Sequence, residues 1–408
     1  MSASLRDGQA RSRWALGALA LGAFAIGTAE LVVIGILDLV AKGQHVSVST
    51  AGQLVTAYAL GIAIGAPLLT ALTARMGRRT VLCLALGVFA AGNIVAAGAT
   101  SFHLLLVARV VTGSIHGLFI GVASVIAASL VPSDKRGSAI SMVFGGIAVS
   151  TVVGVPLGTL VGQAVGWRFA FVIVVALAGA ALVASMLFVP AVPASGPSRL
   201  RSQAGAAFAP RVLAVLGLGL VLMGAQFTAF TYLTPFLQHV TGISGGAVSG
   251  FLLVFGLFAA AGAVAGGKAA DRSASAAMLV ANLAVVVALG FLYLVRPTPA
   301  LVVLGLAAWG LATFAIIPCF QLRVITLAGN GADLAATLGA SAVNGGIAIG
   351  SLLGGAVLAH HGPSSPIVVA LVLSAVAVPA TWFTSFVHSG GAEDVRSERR
   401  TLQVDGQS

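Results

Sequence analysis

Charged side chains are scarce in this sequence, at 8% of 408 residues, and the shortage falls hardest on acids, ten against 21 Lys and Arg. That is too few polar groups to cover a water-soluble globule of this size. Only two cysteines occur, Cys83 and Cys319, both inside apolar runs, so neither a disulfide framework nor a zinc or other metal site is indicated. Each reads as a packing residue. There is no His-Glu-x-x-His, no pair of acids within an apolar run, and no Gly-x-Ser-x-Gly with a histidine and an acid in reach, which argues against an enzyme. A Gly-x-x-x-x-Gly-Lys-Ser/Thr phosphate loop is also missing, so ATP is not the energy source and no cofactor is expected. The net charge of +11 comes from short basic clusters scattered between apolar runs, a pattern unlike a nucleic-acid-binding face.

What the chain has in abundance is apolar length: 59% hydrophobic residues and a mean hydropathy of +1.08. Its solvent must be lipid, and its 52 glycines are the small residues that let membrane helices approach closely. Spans of about 20 apolar residues fall near 14–36, 49–73, 80–99, 102–128, 137–162, 169–189, 210–236, 246–267, 275–295, 299–322, 335–359 and 365–387. The first run is too long for a signal-peptide core and is expected to stay attached. With both termini inside, 16 of the 21 basic residues lie in cytoplasmic segments and three, Lys42, Arg168 and Arg296, in external loops. The positive-inside rule selects that orientation. The expectation is an all-α, multi-pass protein of the bacterial inner membrane. It divides into a six-helix bundle over 1–189, a Pro/Ser/Gly/Ala-rich cytoplasmic linker over 190–209, a second bundle over 210–387 and a disordered tail over 388–408.

The two halves share features at one offset. Arg75, in the loop after the second span, matches Arg272 after the eighth, 197 residues on. The fifth span carries Gly146, Ser150, Gly154, Gly158 and Gly162, the eleventh Ala342, Gly346, Gly350 and Gly354, and Gly154 matches Gly350 at 196. Spacing of four puts each set on one helix face, a smooth strip against which another helix can pack. Parallel six-helix repeats with a site between them describe a secondary transporter.

The chain resembles the major facilitator superfamily over nearly its whole length, and within it the twelve-helix drug:proton antiporters. The superfamily's loop motif stands in part as Arg75-Met76-Gly77-Arg78-Arg79, with Ala74 in place of the acid, whereas the second half keeps the acid in Asp271-Arg272. The resemblance implies that these two loops gate the cytoplasmic side, with the acid latch in doubt in the first half. Arg109-x-x-x-Gly113 is similar to a proton-coupling motif, and Gly154-Val155-Pro156-Leu157-Gly158 to a motif associated with export. Gly27-Thr28-Ala29-Glu30, His116-Gly117, Gly166-Trp167-Arg168 and Tyr232-x-x-Pro235 look like bacterial sugar-, arabinose- and chloramphenicol-efflux transporters.

An ionisable group inside the membrane is a functional candidate by default. Of the ten acids only Glu30 falls well within a span, and Asp38 sits at the outer end of the same helix. Glu30 lies about 9 Å and Arg109 about 10 Å from the outer ends of their helices at 1.5 Å per residue, so the two can meet in one layer. Burial favours the neutral acid and a nearby arginine favours the carboxylate, so water or substrate can switch its protonation. A permanent Glu30–Arg109 structural pair is the competing reading. Asp38 is a second proton candidate, against simple solvation at the interface. His116, two turns from Arg109, either relays protons or binds substrate, or only bonds between helices. Gln226 is the 196-offset counterpart of Glu30. With Tyr232, Asn344 and Tyr58 it offers a hydrogen-bonding wall for a neutral substrate, or else interhelical bonds. Arg323 is expected to snorkel to the interface.

The function these readings favour is proton-driven export of a small neutral or amphipathic molecule by a monomer working through alternating access. Its partners would be protons, the substrate and the bilayer. Uptake by symport or uniport on the same fold, and a non-transporting scaffold or sensor, are the alternatives. Sugar, nucleoside and drug all remain open as substrates.

Overall fold

The computed structural model describes residues 2–132, 136–192 and 205–386. Most of the expected linker and all of the expected tail lie outside the described residues. Those residues hold helices and no strand. We number the helices α1 (Ser2–Gly35), α2 (Val48–Leu72), α3 (Arg78–Ala97), α4 (Phe102–Ser129), α5 (Ala139–Val165), α6 (Trp167–Phe188), α7 (Pro210–His239), α8 (247–272), α9 (274–295), α10 (Pro299–Ala328), α11 (Ala332–His361) and α12 (Ser365–Ser385). Eleven continuous helices are long and apolar enough to cross a membrane, and one of these is double. The stretch Ala247–Val295 has 49 residues, which would run about 73 Å if straight, more than twice a hydrocarbon core of about 30 Å. Ser273 leaves helical conformation at φ −163° and ψ 99° and divides it. Before the break, Gly262 and Gly266 pack on Leu311 and Ala315 of α10 in the same chain direction. After it, Leu292 meets Gly305 near the start of α10, so the chain has reversed. The expected loop between 267 and 275 is thus a single residue, and the chain is a multi-pass membrane protein of twelve helices.

Glycine strips decide which helices touch. A Cβ on Gly154 would meet Thr28 and one on Gly158 would meet Val32, so the α5 strip lies directly on α1. One repeat later, Gly350 lies on Gly224 and Gly354 on Thr228, placing α11 on α7. Both pairs keep the offset of 196. The α2–α4 contacts Gly65 to Ser114 and Gly113 to Tyr58 return as Gly262 to Leu311 and Gly310 to Phe255, at 197. The repeat is therefore a repeat of contacts as well as of residues. Where the approach is to backbone, as at Gly113, Gly262 and Gly350, adding a methyl group forces the helices apart, at about 1–3 kcal/mol.

Hydrogen bonds join the two halves at the ends away from Arg75, Arg78 and Arg79. Ser49 Oγ donates to Gly355 O (2.7 Å), Ser351 Oγ to Gly52 O (3.0 Å), Thr56 Oγ1 to Ala348 O (3.4 Å) and Thr234 Oγ1 to Ile34 O (2.7 Å). Buried apolar residues follow the same division: those at the outer end of the first half form one cluster with the second half, whereas those toward the basic end of the first half cluster alone. Along α2 the row that begins with Gly52 and Thr56 continues to Leu60, Ile64, Leu68 and Leu72, which rise from 40% to 77% exposed. The halves are closed at the outer end and separate toward the basic end, leaving a cleft between them.

Candidate functional site

At the closed apex of that cleft, Glu30, Leu31, Val55, Tyr58, Ala59 and Arg109 of the first half face Phe227 and Ile347 of the second across a narrow cavity. Three helices bring the polar groups together: α1 carries Glu30, α2 carries Tyr58 and α4 carries Arg109 and His116. Gly113 lets α4 close on the backbone of Tyr58, which is why a tyrosine and an arginine can stack there. The Arg109 guanidinium carbon lies 3.9 Å from the Tyr58 ring centroid. Its nitrogens donate to three backbone carbonyls, Ala29 (2.8 Å), Glu30 (3.2 Å) and Leu54 (3.3 Å).

The expected meeting of Glu30 and Arg109 is realised through the Glu30 carbonyl. No carboxylate–guanidinium ion pair forms between them among the described residues; Arg109 turns one N–H of each of its three nitrogens to helix backbone. The Glu30 carboxylate turns the other way, with Oε2 3.7 Å from Nδ1 of His116 and 20% of the side chain exposed. The Tyr58 hydroxyl reaches the same Nδ1 at 3.2 Å. Tyr58, Arg109 and His116, all buried, and the partly exposed Glu30 therefore form one group, in which the arginine is fixed and the carboxylate is held by no hydrogen bond among the described residues.

Other expected site residues fall elsewhere. Gln226 is buried inside the second half: its Oε1 accepts from Trp309 Nε1 (2.7 Å) and Thr313 Oγ1 (3.0 Å), and its Nε2 donates to Ser374 Oγ (3.1 Å). It ties α7 to α10 and α12 and turns no free group toward the cleft. Tyr232 donates to Ser351 O at 3.0 Å and lies 3.4 Å from Ser49 O, in the outer closure and not in the cleft wall. Asn344, one turn from Ala348 toward the basic end, is half-exposed along the cleft, with Nδ2 bonded to Ala340 O (3.0 Å) and Oδ1 unpartnered. Asp38 is not solvated. It is 5% exposed, neither carboxylate oxygen has a hydrogen-bond partner, and Oδ2 lies 3.9 Å from Nε2 of His239 in the other half. Burial pushes its carboxyl above the ordinary value, against the opposing pull of His239 and Lys42. Arg323 does not snorkel: it is buried and donates to Thr384, joining α10 to α12.

The loop residues lie at the basic end. Asp271 and Arg272 are exposed beside the Ser273 break and make no ion pair among the described residues, and Arg75 and Gly77 are exposed in the facing loop of the first half. Arg78 is buried, with its backbone N–H on Val192 O (2.9 Å). Arg79 donates to Met186 O. Gly154, the last residue of a π-helical turn at Ser150–Gly154, and Gly158 lie on α1, with Pro156 buried between them.

Residues 19–338 match the family model described as Major Facilitator Superfamily. The chain belongs to the major facilitator superfamily. A facilitator of this family is a transporter, not an enzyme, and relatives agree. It is 40% identical to an MFS-type transporter, YtbD, of Bacillus subtilis, over 84% of this chain and 88% of that one. It is 33% identical to a chloramphenicol resistance protein of Streptomyces lividans, over 88% and 93%. Its fold matches the crystal structure of a bacterial homolog of the human lysosomal transporter Spinster with a TM-score of 0.75, 16% identity and coverage of 92% and 97%.

Reading the facilitator's sequence alone missed the apolar apex residues Phe227, Ile347, Leu31 and Val55, because an apolar side chain carries no mark of facing a cleft when the helices are apolar all round. It also missed His239, the partner that Asp38 faces, although both stand at helix ends on the outer side.

Proposed function

We propose that this facilitator exports small neutral or amphipathic molecules in exchange for protons, by alternating access across the bacterial inner membrane. The observation that carries the reading is the Glu30 carboxylate: an acid at the apex of the cleft, partly exposed to it, beside His116 and free of the arginine that its own helix backbone occupies. A carboxyl in that setting can take a proton from one side and give it up when the cleft reopens to the other. Arg109 holds α1, α2 and α4 together and supplies a fixed positive charge nearby. His116 and Tyr58 give the proton a hydrogen-bonded neighbourhood.

With both termini cytoplasmic, the basic end faces the cytoplasm and the cleft is open to it, the loading state for an exporter. The apex opposes polar groups of the first half to Phe227 and Ile347 of the second, which suits a ligand with one polar and one apolar face. The chloramphenicol resistance protein among its relatives favours small amphipathic drugs over sugars. The proton gradient supplies the energy, no bound cofactor takes part, and a monomer suffices.

Reconstitution in proteoliposomes with an imposed pH gradient tests this. Glu30→Gln should abolish gradient-driven accumulation of substrate and leave substrate–substrate exchange in place. Unchanged gradient-driven transport in that variant would exclude Glu30 as the coupling acid.

A further inference from the structure

Away from the cleft, α3 and α6 flank the first half, where they pack on α1, α4 and each other. Toward the basic end they part and leave a groove of about 690 Å³. Leu84 and Val88 of α3 and Met186 of α6 form walls that are 42–53% exposed. Cys83 and Gly87 also line it, and Arg79 and Thr80, in the first turn of α3, line its inner end. An apolar groove open on the bilayer side of a membrane helix pair takes hydrocarbon, because water there would have almost nothing to bond to.

The inner end has the opposite character. Arg79 reaches across to Met186 O with one N–H, and a guanidinium has five. The N-terminus of α3 adds the positive end of its dipole at the same place. Neither α3, α6 nor the stretch 189–209 contains an acid, so no residue of these segments neutralises Arg79. The chain that continues from Val192 carries Arg199 and Arg201, two further positive charges and no acid before Ala209.

We propose that this groove binds one anionic phospholipid of the leaflet at the basic end, with an acyl chain between α3 and α6 and the headgroup phosphate on Arg79 and the first turn of α3. Arginine suits phosphate through paired N–H donors, and an interfacial basic residue adds about 1 kcal/mol to anionic-lipid binding. The lipid fills the groove that Arg79 spans with one hydrogen bond.

The full-length protein carrying Cys319→Ala, which leaves Cys83 as its one thiol, is placed in nanodiscs of phosphatidylcholine with or without phosphatidylglycerol. Alkylation of Cys83 by a membrane-permeant maleimide and lipid retained in native mass spectrometry are then read. Phosphatidylglycerol should slow alkylation about fivefold, the factor that 1 kcal/mol corresponds to, and Arg79→Gln should remove the difference. A Cβ at Gly87 meets no atom within 4 Å and Gly87 lines the groove, so Gly87→Leu takes up lipid space there and should lower retained phosphatidylglycerol. Equal retention in the wild type and Gly87→Leu overturns the proposal. So does protection by inorganic phosphate in phosphatidylcholine alone, which would mark a free-anion site. Equally slow alkylation in both lipids would show the groove covered by the chain itself, which also overturns it. None of these readings depends on substrate or on proton coupling.

Discussion

The two halves hold the same four positions with opposite chemistry. Glu30, Tyr58, Arg109 and His116 of the first half correspond, at offsets of 196 for α1 and 197 for α2 and α4, to Gln226, Phe255, Leu306 and Thr313 of the second. In both halves the first member of the set turns toward the last: Glu30 Oε2 lies 3.7 Å from His116 and Gln226 Oε1 accepts from Thr313 at 3.0 Å. The second set has lost every charge, and Trp309 and Ser374 close the remaining hydrogen bonds around Gln226. The first set keeps one acid that no donor holds. One architecture therefore serves once as a titratable site and once as a static brace, and the difference lies in whether its polar atoms are already satisfied.

Breaking the charged set should have the larger effect. Arg109→Leu, the second-half residue placed in the first, removes the charged second donor from the helix carbonyls of Ala29, Glu30 and Leu54, at about 1.5–3 kcal/mol for a hydrogen bond to a charged group. Thermal unfolding in detergent should show a large drop in midpoint together with loss of transport. Gln226→Leu deprives Trp309 and Thr313 of an acceptor and should lower the midpoint less. Proton coupling, scored as substrate accumulation under a pH gradient, should survive. If coupling disappeared while the protein stayed folded, the brace reading would be wrong.

His116→Thr converts the last member to its counterpart. The fold should hold, and the pH profile of transport should move while maximal exchange stays within about a factor of ten, the scale of one neutral hydrogen bond such as the one His116 makes with Tyr58. Asp38→Asn should have the smallest effect. The burial that raises the Asp38 carboxyl favours its protonated form in the closed state, so outer closure is fully favoured at low pH and weakens as pH rises through the raised value. Spin-label distances across the outer end should show that pH dependence in the wild type and lose it in Asp38→Asn.

How much of this was legible in the sequence depended on whether a residue's type settles its partner. Glycines did best, since a residue with no side chain can only mark a close approach, and the strips on α5 and α11 lie where their spacing puts them. The twelve spans were legible by length, while the one-residue turn at Ser273 was not, because Arg272 and Lys268 read as a loop. Long polar side chains did worst. Arg109 could reach a carboxylate or a carbonyl, and the choice rests on the rotation of α1, which an apolar-all-round helix does not encode. Asp38 looked like a helix end in water, but a histidine 201 positions away covers it. The amide at Gln226 was found by offset, and its neutral ring of partners could have been found the same way by carrying His116 forward to Thr313.

The offsets themselves record a history. α1 and α5 map onto α7 and α11 at 196, α2 and α4 onto α8 and α10 at 197, so the second half is one residue longer between its first two helices and one shorter between its fourth and fifth. The stretches in which the two changes fall contain the α1–α2 and α4–α5 connections, on opposite faces of the membrane. A residue gained inside a span would rotate every glycine after it off its partner by 100°, and the matched glycine contacts of these four helix pairs show no such rotation.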